Sequence, residues 1–254
     1  MNESRSVGVF NRLRKYTDAR IGLETTGSSI STRDLLKFQS DWAQARDAVY
    51  YGVDFDLLAS DLSTIGLTSV RVSSAAESRG VFLRRPDLGR SLSADSASHL
   101  STVSNQKHDI AIIITDGLSG LAVDNHAIPL VRALENQINS KGWSTSPIIL
   151  AEQGRVAIGD AIGEALSAKL TVMIIGERPG LSAADSLGVY ITYDPQIGRN
   201  DSERNCVSNI RIGGLDPKQA AVTISYLISG AFKIRETGIA LKDNSRVAID
   251  SDGS

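Results

Sequence analysis

Cysteine is almost absent from this chain. One residue among 254, Cys206, carries a thiol, so the chain cannot form a disulfide within itself, and a tetrahedral zinc site is disfavoured. A chain of this length can bury a large enough apolar core to fold without such cross-links. The composition therefore fits a reducing compartment, and we expect a cytoplasmic protein.

Long apolar runs and an excess of basic residues are also missing. The longest aliphatic stretches, such as 110–114, are far too short to cross a bilayer, and the first ten residues lack the apolar core of a secretion signal. Lysine and arginine total 27 against 29 aspartate and glutamate residues, which gives a formal net charge of −2. Nucleic-acid-binding proteins normally carry a basic patch. We therefore expect no membrane and no nucleic acid among the partners.

The motifs of several common enzyme families are incomplete in this sequence. No G-x-G-x-x-G follows the first buried strand, which argues against a nicotinamide or flavin site. Gly154 and Gly159 have the spacing of a phosphate-binding loop, but Asp160 stands where that loop requires lysine. Segment 117–120 begins like a nucleophile elbow and then lacks the final glycine. We interpret Ser119 as a loop or cap residue.

The second half of the chain alternates predicted strands and helices. The isoleucine-rich run at 109–115 is typical of a parallel strand buried on both faces, and the last helix begins at Asp216 and Pro217, a cap followed by proline. The alternation predicts an α/β, Rossmann-like fold, with a mostly parallel sheet wrapped by helices and an N-terminal helical extension. Further strands are predicted at 147–150, 170–175 and 187–192, and helices at 160–167 and around 127–141.

The first half of the chain begins with a polar lead-in and then a helix that Ser31 or Thr32 can cap. Apolar residues on one face of this helix favour a role in covering the core, and an interface helix is the alternative. A second helix is predicted at 55–64. Segment 68–83 predicts two strands with a turn at 78–80, while 91–104 is either a weak helix or a surface loop. The apolar face consists of Leu35, Phe38, Trp42, Ala45 and Val49.

These patterns divide the chain into three parts. Residues 1–66 form the lead-in and helical segment, 67–242 the α/β domain, and 243–254 a polar tail that we expect to be disordered.

Parallel sheets bind ligands beyond the carboxyl ends of their strands, so the loops that follow the strands are candidates for a site. In the loop after 170–175, Pro179 biases Arg178 toward an extended backbone, and Gly180 can take dihedral angles closed to other residues. The charges of Glu177 and Arg178 either recognise a polar ligand or shape the loop by contacting each other. The residues alone leave both open. The other candidate loops follow Thr115, Leu150 and Thr192.

Several segments together resemble the small (light) subunit of ethanolamine ammonia-lyases. The resemblance runs from about residue 16 to 246, and the motifs occur in the same order. The most specific segments are 85–90 (RPDLGR), 116–119 (DGLS), 154–156 (GRV), 176–181 (GERPGL) and 206–210 (CVSNI).

This resemblance implies a two-subunit enzyme that converts ethanolamine to acetaldehyde and ammonia by a radical rearrangement. Adenosylcobalamin would be the cofactor, and a large barrel subunit would carry most substrate contacts. The small subunit would close over the cofactor with its α/β domain, in a hetero-oligomer with several copies of each subunit. By resemblance, the cofactor contacts fall on Val156, Glu177 and Cys206, and no catalytic or metal-binding residue is assigned to this chain.

The histidines agree with such a cofactor, whose cobalt keeps its own benzimidazole ligand in this family. Asp124 and His126 begin like D-x-H-x-x-G, the motif of cobalamin domains that ligate cobalt through histidine, but Pro129 replaces the glycine. We interpret His126 as a surface residue near a helix start. Some members of the family carry an N-terminal extension that directs them into a bacterial microcompartment. We expect none here, so that enclosure would depend on the large subunit.

Two other functions remain possible at this point. One is a stand-alone α/β protein that binds a nucleotide-like ligand with the same loops and has no lyase activity. The other is a purely structural subunit. An exposed apolar patch beside the loops would favour a subunit of either kind over the stand-alone protein.

Overall fold

The structure is a computed structural model that describes residues 9–10, 12–17, 19–23, 25–103 and 107–245. Its N-terminal part contains a small hairpin and two helices. Ser31 caps the first helix by accepting from the backbone N–H of Asp34, and Asp54 caps the second, as short polar side chains do at helix starts. The elements are β1 (Thr25–Thr26), β2 (Ser29–Ile30), α1 (Thr32–Tyr50) and α2 (Phe55–Thr64).

The remaining segments alternate between strands and helices, as the sequence predicts. Asp216 caps the last helix, and Gly142 ends the longest one in a left-handed conformation. The strands are β3 (Ser69–Ser73), β4 (Ile110–Thr115), β5 (Ile148–Glu152), β6 (Leu170–Gly176), β7 (Leu187–Tyr193) and β8 (Asn205–Ile210). The helices are α3 (Arg79–Arg84), α4 (Ala94–Val103), α5 (Gly120–Lys141), α6 (Ile158–Ala165) and α7 (Pro217–Ile234).

Strands β3 to β8 form one sheet in the order β3-β5-β4-β6-β7-β8. The first four strands in this order are parallel, while β7 runs antiparallel to β6 and β8 antiparallel to β7. All six residues of β4 are buried, as expected for a strand covered on both faces. The α/β class with a mostly parallel sheet is confirmed. The strand order differs from that of the Rossmann fold, so the Rossmann-like description is not confirmed.

Helices cover both faces of the sheet. Helices α2, α5 and α7 bury one set of side chains against β4, β5, β6 and β7, while α4 and α6 pack on the other face. The alternation of Ile112 and Ile113 between the two clusters follows from the two-residue period of a strand. Among the described residues, no helix is both long enough and apolar enough to cross a membrane.

One prediction about secondary structure is wrong, and one strand was not predicted. Segment 79–84 is helix α3 rather than a second strand, because Ser78 caps it by accepting from the N–H of Val81 and Phe82 turns into the interior. Segment 205–210, which was not predicted as a strand, is β8. The serine-rich 91–104 segment, left ambiguous by its sequence, contains α4. The expected disordered tail over 243–254 falls mostly outside the described residues.

Strand direction also corrects the set of candidate loops. Because β7 is antiparallel, the loop after Thr192 lies at the opposite edge of the sheet from those after Thr115 and Ile175. Strand β8 runs parallel to β6, so its carboxyl end, Ile210, returns to the candidate edge, opposite Leu187. The loops to examine are therefore those that follow β4, β5, β6 and β8.

Helix α1 does not cover the core, contrary to the main prediction. Ala48 is its single fully buried residue, while Leu35, Phe38 and Trp42 are 41%, 39% and 54% exposed. A contiguous apolar face of this kind is typical of a surface that contacts another molecule. The alternative interpretation, an interface helix, therefore fits the structure better.

Two glycines let the loops after β4 and β6 touch. Leu118 N–H donates to the carbonyl of Gly176 at 2.9 Å. A Cβ on Gly176 would overlap the carbonyl oxygens of Ser119 and Asp116, and a Cβ on Gly117, whose φ is +54°, would overlap Gly176 itself. Only glycine therefore permits this contact.

Replacing Gly176 by alanine should force the two loops apart and lower the free energy of unfolding by about 1–3 kcal/mol, as for other overpacked sites. Gly52→Ala is the matched control, because a Cβ there would meet nothing within 4 Å and should change stability by less than about 1 kcal/mol. Urea unfolding of both variants measures the difference. Equal effects at the two positions would contradict this account.

Candidate functional site

The carboxyl ends of β4 and β6 meet at the position where their connections diverge. From β4 the chain passes to β5 on one side, and from β6 it passes to β7 on the other. Such a divergence opens the crevice in which α/β sheets bind ligands. A cavity of about 420 Å³ lies there, lined by Gly117, Leu118, Arg155, Val156, Ile175, Gly176, Glu177, Arg178 and Tyr190.

Two of the three predicted cofactor contacts line this cavity. Val156 comes from the segment after β5 and is half-buried, while Glu177 follows β6 directly. Val156, Leu118 and Ile175 contribute branched alkyl groups to the lining, so part of the cavity is apolar. The cavity therefore combines an apolar surface with a carboxylate and two guanidinium groups.

Glu177 fastens its loop to β8. Its Oε2 accepts from the Ser186 hydroxyl at 2.5 Å and from the Asn209 backbone N–H at 3.2 Å, and its own N–H donates to the Ser186 carbonyl. No ion pair joins Glu177 to Arg178 in the part of the chain that the structure describes. The loop is shaped by Glu177, but through serine and backbone rather than through the neighbouring arginine.

Gly180 does not take the left-handed backbone that the sequence suggested. Its φ is not positive, and its N–H and carbonyl exchange hydrogen bonds of 2.8 and 3.2 Å with Ala183. This tight turn leaves Arg178 exposed. The guanidinium of Arg178 is thus available at the cavity without strain in its loop.

Cys206, the third predicted contact, lies beside the cavity rather than in its lining. It is paired across β7 and β8 with Tyr190, which does line the cavity. Burial and the neighbouring thiol raise the pKa of Tyr190 to about 12. Cys206 as a residue is exposed, but desolvation of its thiol, with the nearby charge of Glu177, raises the pKa of that thiol. The thiol is therefore protonated at neutral pH and unsuited to act as a nucleophile.

A buried ion pair lies beneath the cavity. Arg79 Nη1 donates to Asp116 Oδ2 at 3.1 Å and to the Gly117 carbonyl at 2.7 Å, while its Nε donates to the Val49 carbonyl. Asp116 is 3% exposed, and burial raises its pKa to about 6 despite the arginine. Desolvation outweighs the ion pair because both partners have lost water.

Comparisons with known proteins match nearly the whole chain. The family described as ethanolamine ammonia-lyase light chain (EutC) matches residues 8–242. Proteins named ethanolamine ammonia-lyase small subunit are similar over almost their full length. The one from Pseudomonas syringae pv. tomato is 46% identical over 95% of this chain and 86% of its own. Those from Pseudomonas putida (strain GB-1) and Pseudomonas fluorescens (strain Pf0-1) are each 48% identical, over 95% and 92% of this chain and 90% and 87% of their own.

The chain belongs to the ethanolamine ammonia-lyase light chain family. The suspected resemblance is thereby confirmed.

Sequence reasoning missed three residues at the site of this light chain. Arg79 and Phe82 were hidden because their segment was predicted as a turn and strand rather than helix α3. Tyr190 is flanked by apolar neighbours in β7, and its pairing with Cys206 depends on a strand, β8, that was not predicted. The available signal for Tyr190 was a phenol hydroxyl within an otherwise apolar strand, which usually needs a polar partner.

Two polar residues of the light chain have structural roles. His126 is 3% exposed, not a surface residue as predicted, because α5 begins at Gly120 and carries it into the interior. Its Nε2 lies 3.0 Å from Asp185 Oδ2 and so ties α5 to the loop after β6. Asp160, which replaces the phosphate-loop lysine, binds the buried Arg204 guanidinium with both oxygens, at 2.6 and 2.7 Å.

Asp116 should make stability depend on pH. Its folded pKa of about 6 exceeds the ordinary 3.8, so the folded state favours the protonated carboxyl, and stability is lost as pH rises from about 4 to about 6. Between about pH 4 and pH 7, the wild type should lose on the order of 2–3 kcal/mol of unfolding free energy relative to Asp116→Asn. Urea unfolding at both pH values measures this. A constant difference between the two proteins would contradict the buried-carboxyl assignment.

Proposed function

We propose that this chain is the small subunit of an adenosylcobalamin-dependent ethanolamine ammonia-lyase, which converts ethanolamine to acetaldehyde and ammonia together with a large subunit. The observation that carries this proposal is the 46–48% identity to proteins named as small subunits, over nearly the full length of both chains. When bound, the cofactor would supply an adenosyl radical by homolysis of its cobalt–carbon bond. This chain would help to bind and orient the cofactor and to shield its radical from solvent.

The residues around the cavity fit such a cofactor. Val156 and Leu118 provide an apolar surface for a corrin ring or its tail. Glu177 keeps a second carboxylate oxygen, Oε1, that accepts no hydrogen bond from the described residues and can accept from corrin amides. Cys206 would contribute by close packing beside Tyr190, since its protonated thiol has no nucleophilic role.

The cavity is also too small to enclose a ligand as large as a corrinoid. At about 420 Å³, it suits part of the molecule, while pockets for whole cofactors are larger and bury most of the ligand. A second chain is therefore needed to cover the rest. This supports a cofactor bound between this chain and the large subunit.

The exposed face of α1 supports the same partner. A groove of about 910 Å³ separates α1 from the loop after β6, with Lys37 and Asp41 on one side and Leu181 and Ala184 on the other. The α1 residues that line the groove are next to the apolar face and are not part of it. The loop after β6 borders both the groove and the cavity, so a chain that covers α1 and this groove lies next to the cofactor site. The large subunit is the occupant that we propose.

We also propose a domain organisation, an assembly and a cellular location for the enzyme. Residues 67–242 would form the cofactor-contacting domain, and the assembly would hold several copies of each subunit. We propose a cytoplasmic enzyme, with enclosure in a bacterial microcompartment occurring through the large subunit.

A stand-alone protein for a nucleotide-like ligand fits less well. Such a protein would enclose its ligand and cover its apolar helix, whereas here the cavity is small and Phe38 and Trp42 are exposed. A purely structural subunit agrees with the apolar face but gives no reason for the polar groups at the crevice.

Co-expression with the large subunit tests the function. Ammonia release from ethanolamine should require both chains and adenosylcobalamin. A stable complex without activity would leave a structural role, and the absence of any complex would favour the stand-alone protein.

Replacing Glu177 by alanine should weaken cobalamin retention by the complex by about tenfold, the cost of one hydrogen bond to a charged group. Ser186→Ala is the matched control, because it removes the donor to Oε2 and leaves the carboxylate. It should change retention less than about threefold. Equal losses in both variants would mean that Glu177 acts only by shaping its loop. Equilibrium dialysis of the cofactor measures both.

A further inference from the structure

Three arginines lie at the cavity, and two of them form no ion pair with the described residues. Arg155 and Arg178 line it, and the Arg79 side chain donates to Gly117, another lining residue. Asp116 forms an ion pair with Arg79 and acts on Arg155 only at longer range, where the repulsion from Arg79 and Arg178 is larger. Neither Arg155 nor Arg178 forms an ion pair with any residue that the structure describes. Burial, and the nearby charges of Arg79 and Arg178, lower the pKa of the Arg155 guanidinium.

Packing holds Arg155 in place. The guanidinium carbon of Arg155 lies 4.3 Å from the centre of the Phe82 ring. The backbone N–H of Arg155 donates to the Gly89 carbonyl at 2.7 Å. A Cβ on Gly89 would come within 2.8 Å of that ring and 3.0 Å of Arg155 Cγ. The absence of a side chain at Gly89 therefore gives Arg155 its position. A guanidinium fixed before binding loses little entropy when a ligand arrives.

Two guanidinium groups at this site retain buried donors without acceptors. Arg155 Nε and Arg79 Nη2 are both buried and form no hydrogen bond with the residues that the structure describes. Arg79 also stacks on Phe82, at 5.0 Å. Buried donors are almost always satisfied in proteins. Their presence beside a cavity points to an acceptor that binds there.

We propose that Arg155, supported by Arg79 and Arg178, forms an anion subsite for a phosphodiester, namely the one in the nucleotide tail of the cobalamin. The inference rests on the proposed function. The planar N–H fork of arginine matches phosphate oxygens. The corrin amides are neutral, so the tail phosphodiester is the anionic group available. Glu177 on the same cavity would repel a free phosphate dianion, whereas a cofactor offering both amides and a phosphodiester satisfies both kinds of group.

A comparison of two ligands tests the subsite in the complex with the large subunit. Adenosylcobinamide has the same corrin and adenosyl group as adenosylcobalamin but lacks the nucleotide tail and its phosphodiester. Arg155→Met keeps an unbranched chain over Phe82 and removes the charge. Dissociation constants from equilibrium dialysis should rise about tenfold or more for adenosylcobalamin and less than about twofold for adenosylcobinamide.

Two further variants control this comparison. Arg84→Met removes an exposed arginine of α3 whose hydrogen bond within the described part of the chain is to the Gly80 carbonyl, and it should change neither constant. Arg155→Lys keeps the charge and should lose affinity for adenosylcobalamin to a smaller degree than Arg155→Met. If the methionine variant does not assemble, a loss confined to adenosylcobalamin in the lysine variant supports the subsite by itself.

The contrary outcomes are distinct. Equal losses for both ligands would assign Arg155 to the corrin or the fold and overturn the subsite, while leaving the proposed function in place. Tight binding of inorganic phosphate to the cofactor-free complex, abolished by Arg155→Met, would identify a free-phosphate site instead. Failure of the wild-type complex to bind either corrinoid would overturn the proposed function and the subsite together.

Discussion

The backbone contact between the loops after β4 and β6 is the constraint on which the site depends. Gly117 and Gly176 lie so close that neither could carry a side chain, and the Leu118 N–H closes the contact onto the Gly176 carbonyl. The two glycines therefore contribute main chain to the lining of the cavity, and neighbouring residues contribute side chains. Larger residues at these two positions would force the loops apart and so change the crevice that the divergence of β4 and β6 opens.

The same loop contact also affects the electrostatics of the site, because it includes the residue next to Asp116. Asp116 precedes the first glycine and is held in the interior, where its charge is partly suppressed, as its raised pKa indicates. It forms an ion pair with Arg79, while its longer-range attraction for Arg155 is weaker than the repulsion from Arg79 and Arg178. Stacking on Phe82 keeps Arg79 and Arg155 together in spite of their mutual repulsion. The guanidinium groups of Arg155 and Arg178 therefore share the lining of one cavity with the carboxylate of Glu177.

Elements with strong periodicity could be predicted from the sequence, and those decided by tertiary contacts could not. Strand β4, with five apolar residues followed by Thr115, and the capped, amphipathic α7 were identified correctly because local composition and burial agree there. Helix α3 was missed because Val81 and Phe82 favour strands, whereas the Ser78 cap and the packing of Phe82 decide the outcome. The direction of β7 could not be predicted, since a buried strand has the same composition in either direction.

The candidate site shows the same division. Val156 and Glu177 belong to segments that stood out as loops after strands, and the fold brings them to one cavity. Cys206 and Tyr190 meet through a pairing of β7 with β8 that spacing along the chain does not reveal. The unsatisfied nitrogens of Arg79 and Arg155 become visible only when their surroundings are known, because an arginine in a sequence is ordinarily a solvated surface residue.

The apolar face of α1 and the small cavity are two aspects of one incomplete structure. Leu35, Phe38 and Trp42 repeat at helical spacing as core residues do, yet all three remain exposed. Among the described residues, the Phe38 and Trp42 rings are contacted by arginine side chains but are not buried by them. At the crevice, two buried arginine nitrogens have no hydrogen-bond partner among the described residues. A protein that worked alone would be expected to resolve both deficits within its own fold. Since the loop after β6 borders the groove along α1 as well as the cavity, one partner chain and one cofactor, meeting at that loop, would resolve both.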